Sequence, residues 1–162
     1  MAVQSSETTA FTIRTLDEVL GLAVNAAQVC AYPGLVALGL AELLVNAIEH
    51  GNLGIDYAEK ARLQAAGAWT HEVARRQLLA ENRDKRVRLE ILSEGSRRHF
   101  RIRDEGPGFD WRCFLDLTSA RALAPNGRGI ALARRIAFSG LEFCGVGNEV
   151  HAWLDEAEEE YL

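Results

Sequence analysis

Glu42-Leu43-Leu44-Val45-Asn46-Ala47-Ile48-Glu49-His50-Gly51-Asn52 is the stretch that decides how this chain folds. At about 100° per residue on a helix, Glu42, Asn46 and His50 line one stripe, while Leu40, Leu43, Leu44, Ala47 and Ile48 face elsewhere. Asn is a poor helix former, so its place between Val45 and Ala47 asks for a reason beyond propensity. A carboxylate and an amide oxygen one turn apart offer lone pairs in one direction, which suits a hydrated Mg²⁺, a water or a hydroxyl. The wet face of an ordinary amphipathic helix has the same pattern. What the rest of the chain brings to the stripe therefore decides its meaning.

The chain has 162 residues, 48% of them hydrophobic, which suits one domain over 1–162 able to bury about two thirds of its unfolded surface. A net charge of −5, with Lys and Arg interspersed among acids, argues against a surface that tracks nucleic-acid phosphates. Cys30, Cys113 and Cys144 are far apart and form no CxxC pair, so they read as small buried hydrophobes in a reducing cytosol. The start, Met1 to Thr9, is polar, and Glu42 and Asn46 interrupt the longest apolar helix. A cytoplasmic chain with no membrane span is the expectation.

Phe11 to Arg14 alternates as a short edge strand, and Thr15 or Asp17 caps a helix that buries Leu16, Val19, Leu20, Ala23, Val24, Ala27 and Cys30. Tyr32-Pro33-Gly34 breaks that helix, and the organising one runs from about Leu35 to Gly51-Asn52-Leu53-Gly54. A charged, Ala-rich helical excursion follows over about 56–84, split at Gly67, with a thin seam of Leu63, Trp69, Val73 and Leu78 for docking. Its His71-Glu72 looks like the start of a phospho-accepting box, but the motif is short and lies after the polar helix instead of before it. Arg86 to Leu92 and His99 to Arg103 alternate as a hairpin that delivers Asp104 to a strand end. Trp111 to Pro125 lacks a clean period and reads as a lid or irregular helix. A helix from Ile130 to Phe138 with Ile130, Ala133, Ile136 and Ala137 inward, a last hairpin to Leu154 and an acidic tail over about 155–162 complete the chain.

Asp104 beside Gly106 and Gly108 suits a carboxylate that accepts from an amine while bare backbone admits a flat ring, such as adenine. A hairpin turn uses the same residues. Asn126-Gly127-Arg128-Gly129 at a helix start suits an anion on free N–H groups, or a plain N-cap at Asn126. Neither GxxxxGK[ST] nor GxGxxG occurs, so the chain is neither a P-loop nor a Rossmann protein.

In order, E-x-x-x-N-x-x-x-H-G, D-x-G-x-G and N-G-R-G-I-x-L resemble the N, G1 and G2 boxes of the GHKL (Bergerat-fold) ATPase superfamily. The match looks closest to its anti-sigma-factor serine kinase branch, over the whole chain apart from the excursion and the tail. That resemblance implies an α+β two-layer sandwich, a mixed and largely antiparallel sheet backed by helices that enclose ATP or ADP with Mg²⁺. It implies Asn46 as the Mg²⁺ ligand, Glu42 as general base, Asp104 as the adenine reader, and Gly106 and Gly108 as shapers of that pocket. Asn126, Gly127, Arg128 and Gly129 would cover the phosphates with the lid, and Arg121 and Arg128 are the candidate catalytic arginines. His50 matches the N-box histidine and reads as a site wall. Asn148 stands where the family often has threonine, so its phosphate contact is a departure. The implied acceptor is a serine on a STAS-domain anti-anti-sigma protein, the sequestered partner a sigma factor or other regulator, and a homodimer is possible. Two other functions stay open. One is a nucleotide-dependent binding switch whose chemistry has lapsed; the other is the detached ATP domain of a histidine kinase, which the lack of a long helical dimerisation segment before Phe11 disfavours.

Overall fold

The computed structural model of the chain describes residues 7–115 and 127–157. Strands β1 (Glu7–Ile13), β2 (Val87–Glu94), β3 (Arg97–Arg103), β4 (Gly140–Cys144) and β5 (Glu149–Asp155) form one sheet in the order β1-β2-β3-β5-β4. Every neighbouring pair is antiparallel, so the sheet expected to be mixed is wholly antiparallel among the described residues. The period-two alternation puts Leu89, Ile91, Phe100, Ile102, Val150 and Ala152 on one buried face. Their register pairs, Leu89 with Ile102 and Phe100 with both Ile91 and Ala152, make that face continuous. β1 is an edge strand as expected, starting at Glu7 instead of Phe11.

Helices α1 (Val19–Ala26), α2 (Pro33–Asn46) and α5 (Gly129–Ile136) form the second layer, with α2 against both others. Proline at the first helical position starts α2 two residues earlier than expected, because its fixed φ and missing N–H suit that place. The helical run Pro33–Asn52 has a mean hydropathy of 1.2, the level of a membrane span, yet Leu40, Leu44 and Ile48 are fully buried in the core of this domain. Cys30 is buried, which pushes its thiol up to about 11, while Cys144 is only half-buried.

Four expected core positions are instead exposed. Leu20 and Val24 stand 68% and 47% exposed, and Leu22 and Ala26 take their places inside. The 3₁₀ turns that flank α1, Leu16–Glu18 and Ala27–Val29, wind more tightly than an α-helix and rotate the buried face. Leu78 and Ile136 each end a helix and turn outward, the latter as the chain bends to bury Ala137 and Phe138.

The excursion forms α3 (Tyr57–Ala65) and α4 (Trp69–Leu78) and docks on the domain itself. Asp56 caps α3 by accepting from the Glu59 N–H at 2.7 Å. Val73 is buried, and Leu63 and Trp69, partly buried, pack against the core. Arg76 pairs with Glu59 and with Glu72 (2.7 Å) and donates to the carbonyls of Leu53 and Gly54, fastening the pair to the end of the organising helix.

Candidate functional site

The organising helix changes winding inside the decisive stretch. α2 ends at Asn46, and Ala47–Asn52 continues as a π turn, in which the Leu53 N–H reaches back to the Ile48 carbonyl at 2.9 Å. Such π turns are rare and recur at functional sites. Asn46, at the junction, lines two cavities.

The first cavity joins Asn46 and Gly51 to Asp104, Gly108, Phe109, Phe143 and Asn148. Asp104 follows β3 directly and is 7% exposed. Its Oδ1 accepts from the Gly106 N–H at 2.8 Å, its own N–H donates to the Asn148 carbonyl at 2.9 Å, and Asn148 Nδ2 donates to the Asp104 carbonyl at 3.4 Å. Burial pushes the carboxyl up to about 6, against the opposing pull of the Gly106 N–H and the Lys85 charge. Gly51 lies flat on that carboxylate, where a Cβ would overlap it. Gly106 lines a separate outer cleft with Arg86 and Arg103, so it shapes the cavity from behind: a Cβ there would overlap the Gly51 carbonyl. Gly108, at φ +83°, lets its loop press on Val146, whose carbonyl accepts from the Phe109 N–H at 3.1 Å. The cavity is narrow, about 20 Å³, and Phe109 and Phe143 meet edge-on at 5.4 Å in its wall.

The second cavity, about 230 Å³, joins Glu42, Asn46 and His50 to Tyr57, Lys60, Gly127, Arg128 and Gly129. Gly129 opens α5 and touches Glu42: a Cβ would overlap its Oε2. The start of α5, with its positive dipole end, thus borders the cavity that holds the Glu42 carboxylate. His50 donates from Nδ1 to the Ile55 carbonyl, and its ring centre lies 3.9 Å from that of Tyr57. Burial pulls its pKa down to about 4, so the ring is a neutral wall.

Asn46 Oδ1 accepts from the Tyr57 hydroxyl at 3.3 Å, while Nδ2 is buried with no hydrogen-bond partner among the described residues. Turning the amide over keeps the Tyr57 contact, since a hydroxyl also accepts, and frees the oxygen. With Glu42 in the same cavity, that donor set fits Mg²⁺, which takes one or two protein oxygens and fills the rest of its shell with water and phosphate. No group of three or more His, Cys, Asp or Glu is arranged for a metal among the described residues.

Arg121 and Asn126, and residues 116–125 of the lid expected over 111–125, lie outside the described residues. Gly51, expected as a helix end open to a ligand, lines the first cavity. Four residues that sequence reasoning missed belong to this region. Asn52 reads as a stop signal, yet it is buried, accepts from the Glu105 N–H at 2.7 Å and donates to the Arg86 carbonyl at 3.0 Å. Glu49 is 2% exposed and paired at 2.5 Å with Lys60. Tyr57 and Lys60 come from the excursion; their spacing of three put them on one helix face, but nothing in the pattern said what that face would meet.

A family model described as a histidine kinase-like ATPase domain matches residues 21–152. The matched span holds both cavities and the excursion. No curated protein matches the chain.

Proposed function

Because the chain belongs to the histidine kinase-like ATPase domain family, we propose that it is an ATP-dependent serine-protein kinase that also sequesters a sigma factor or similar regulator. Its acceptor in this reading is a serine of a STAS-domain anti-anti-sigma protein in a bacterial partner-switching system. The observation that supports it best is Asn46 shared between a cavity built on Asp104 and a cavity built on Glu42 and the start of α5.

In this reading Asp104 accepts the exocyclic amine of adenine, and the phosphates cross Asn46 toward Gly127 and Gly129. Asn46 would hold Mg²⁺ through its amide oxygen, and that ion offsets phosphate charge when bound. The serine Oγ forms a bond to the γ-phosphorus as the bond from that phosphorus to the oxygen bridging to ADP breaks, and the serine proton passes to Glu42. Arg128, at the N-cap of α5, supplies positive charge beside the departing diphosphate. A protein acceptor suits the surroundings: Leu38, one turn before Glu42, and Leu132, which lines the Glu42 cavity, stand 58% and 39% exposed.

Incubation with radiolabelled ATP, Mg²⁺ and the STAS proteins of the same cell tests this. Label on serine is the expected result. Nucleotide binding without label supports a binding switch, and label on histidine supports a histidine kinase domain; either outcome overturns the serine kinase.

A further inference from the structure

α3 sends two side chains into the cavity that holds Glu42 and the start of α5: Tyr57, which donates to Asn46, and Lys60. Lys60 Nζ lies 2.5 Å from Glu49 Oε2 and 4.9 Å from the centre of the Trp69 ring, with 16% of its side chain exposed. Burial raises the Glu49 carboxyl, and the Lys60 hydrogen bond and charge pull it back down. The pair holds the ammonium at the cavity wall.

We propose that Lys60 reads the terminal phosphate of the bound nucleotide, so that the helical insertion sets the preference for a triphosphate. This rests on the ATP reading above. An ammonium carries three donors, and the contact with Glu49 uses one. Lys60 shares its cavity with Glu42, and Glu49 adds a second acid beside it, so a triphosphate entering there needs cations to offset both the acids and its own charge. Geometry sets which phosphate is met. Adenine on Asp104 lies in one cavity, Asn46 stands between, and Lys60 and Glu42 line the other, where the chain of phosphates ends. A lysine suits this place because a point charge on a flexible stem can follow a phosphate while remaining near its buried counter-ion.

Isothermal titration of ATP, ADP and adenosine tests it on the full chain, Lys60→Met, Lys60→Arg and the double variant Glu49→Gln/Lys60→Met. Lys60→Met is expected to weaken ATP roughly 10- to 100-fold, as loss of a charge-assisted hydrogen bond does. ADP should weaken by much less, adenosine should be unchanged, and Lys60→Arg should restore part of the ATP affinity. The double variant leaves no unpaired buried acid, so it keeps the comparison valid where the single variant folds poorly, and the same selective loss is expected of it. ATP affinity within about twofold of wild type in both Met variants overturns the proposal, as does an equal loss for ATP, ADP and adenosine, which marks a purely structural residue. A wild-type chain that binds no ATP overturns the site reading and this inference together. Wild-type binding with indifferent Lys60 variants overturns this inference alone.

Discussion

Asp104→Asn separates the energetic burden of burying a carboxylate from its use in binding. Burial moves the Asp104 carboxyl from the usual 3.8 to about 6. A raised folded-state value means that the native chain holds this proton more tightly than the unfolded chain does. The group therefore favours folding below about pH 4, and that contribution is lost as the pH rises through about 6. Two pKa units at about 1.4 kcal/mol each set an upper bound near 3 kcal/mol, less where water reaches the site. Asparagine has no proton to lose, so the variant should gain on wild type by up to that amount between about pH 4 and pH 7, several degrees in Tm for a domain of this size. Its fixed costs, including the fate of the new amide N–H groups, cancel from the slope, as do the other titrating groups. Melts of both proteins across that range give the slope. A difference that is flat with pH, or that favours wild type increasingly, refutes the assignment of a buried, destabilised carboxylate. The same substitution should weaken ATP by roughly 10- to 150-fold near pH 7.5, the range for a hydrogen bond to a charged group. Wild-type affinity should fall below about pH 6 as the acceptor protonates, while that of the variant stays level. Equal stabilisation of the two proteins by ATP in a thermal-shift titration refutes the adenine contact.

Glu42→Ala should leave ATP affinity within a few-fold of wild type and abolish serine labelling, read by titration and by label transfer. In Gly129→Ala the added methyl group overlaps Glu42 Oε2; labelling should drop about tenfold or more while binding persists. His50, with its pKa pulled down to about 4, should show no imidazole titration by NMR from about pH 8 to pH 5. The unfolded chain takes up that proton first as pH falls below about 6.5, so His50 withdraws stability between there and about pH 4.

What the sequence made legible was periodic. Alternation at Val87, Leu89 and Ile91, and again at Phe100 and Ile102, placed the central hairpin and delivered Asp104 to its end. The spacing of Glu42, Asn46 and His50 placed three polar groups on one wall, and all three line the second cavity. Periodicity names the residues that share a face but not the body which that face meets. The pattern therefore gives no sign that Tyr57 and Lys60 line the second cavity, and it puts Leu20 and Val24 in the core although both are exposed. The exposure of Leu20 and Val24 has a further cause: residues 16–30 use two windings, and a single period follows only one of them. Glu49 carried a signal that went unused, since an acid among Ala47, Ile48 and Gly51 on a largely apolar helix needs a partner when buried.

The π turn explains why so much of the site depends on a single irregular segment. A π turn rotates the chain less per residue than an α-helix does. Past Asn46, His50 lines the cavity that Glu42 and Asn46 also line, and Glu49 turns inward to Lys60. The turn also brings Gly51 flat against Asp104 and aims Asn52 at Arg86 before β2 and Glu105 after β3. Ala47 to Asn52 thus contribute to both cavities: Gly51 backs the Asp104 carboxylate of the first, and His50 joins Glu42 and Asn46 in the wall of the second. The departure from regular winding therefore serves the core and the cavities together, since the turn that buries Ala47 and Ile48 also sets Gly51 against Asp104.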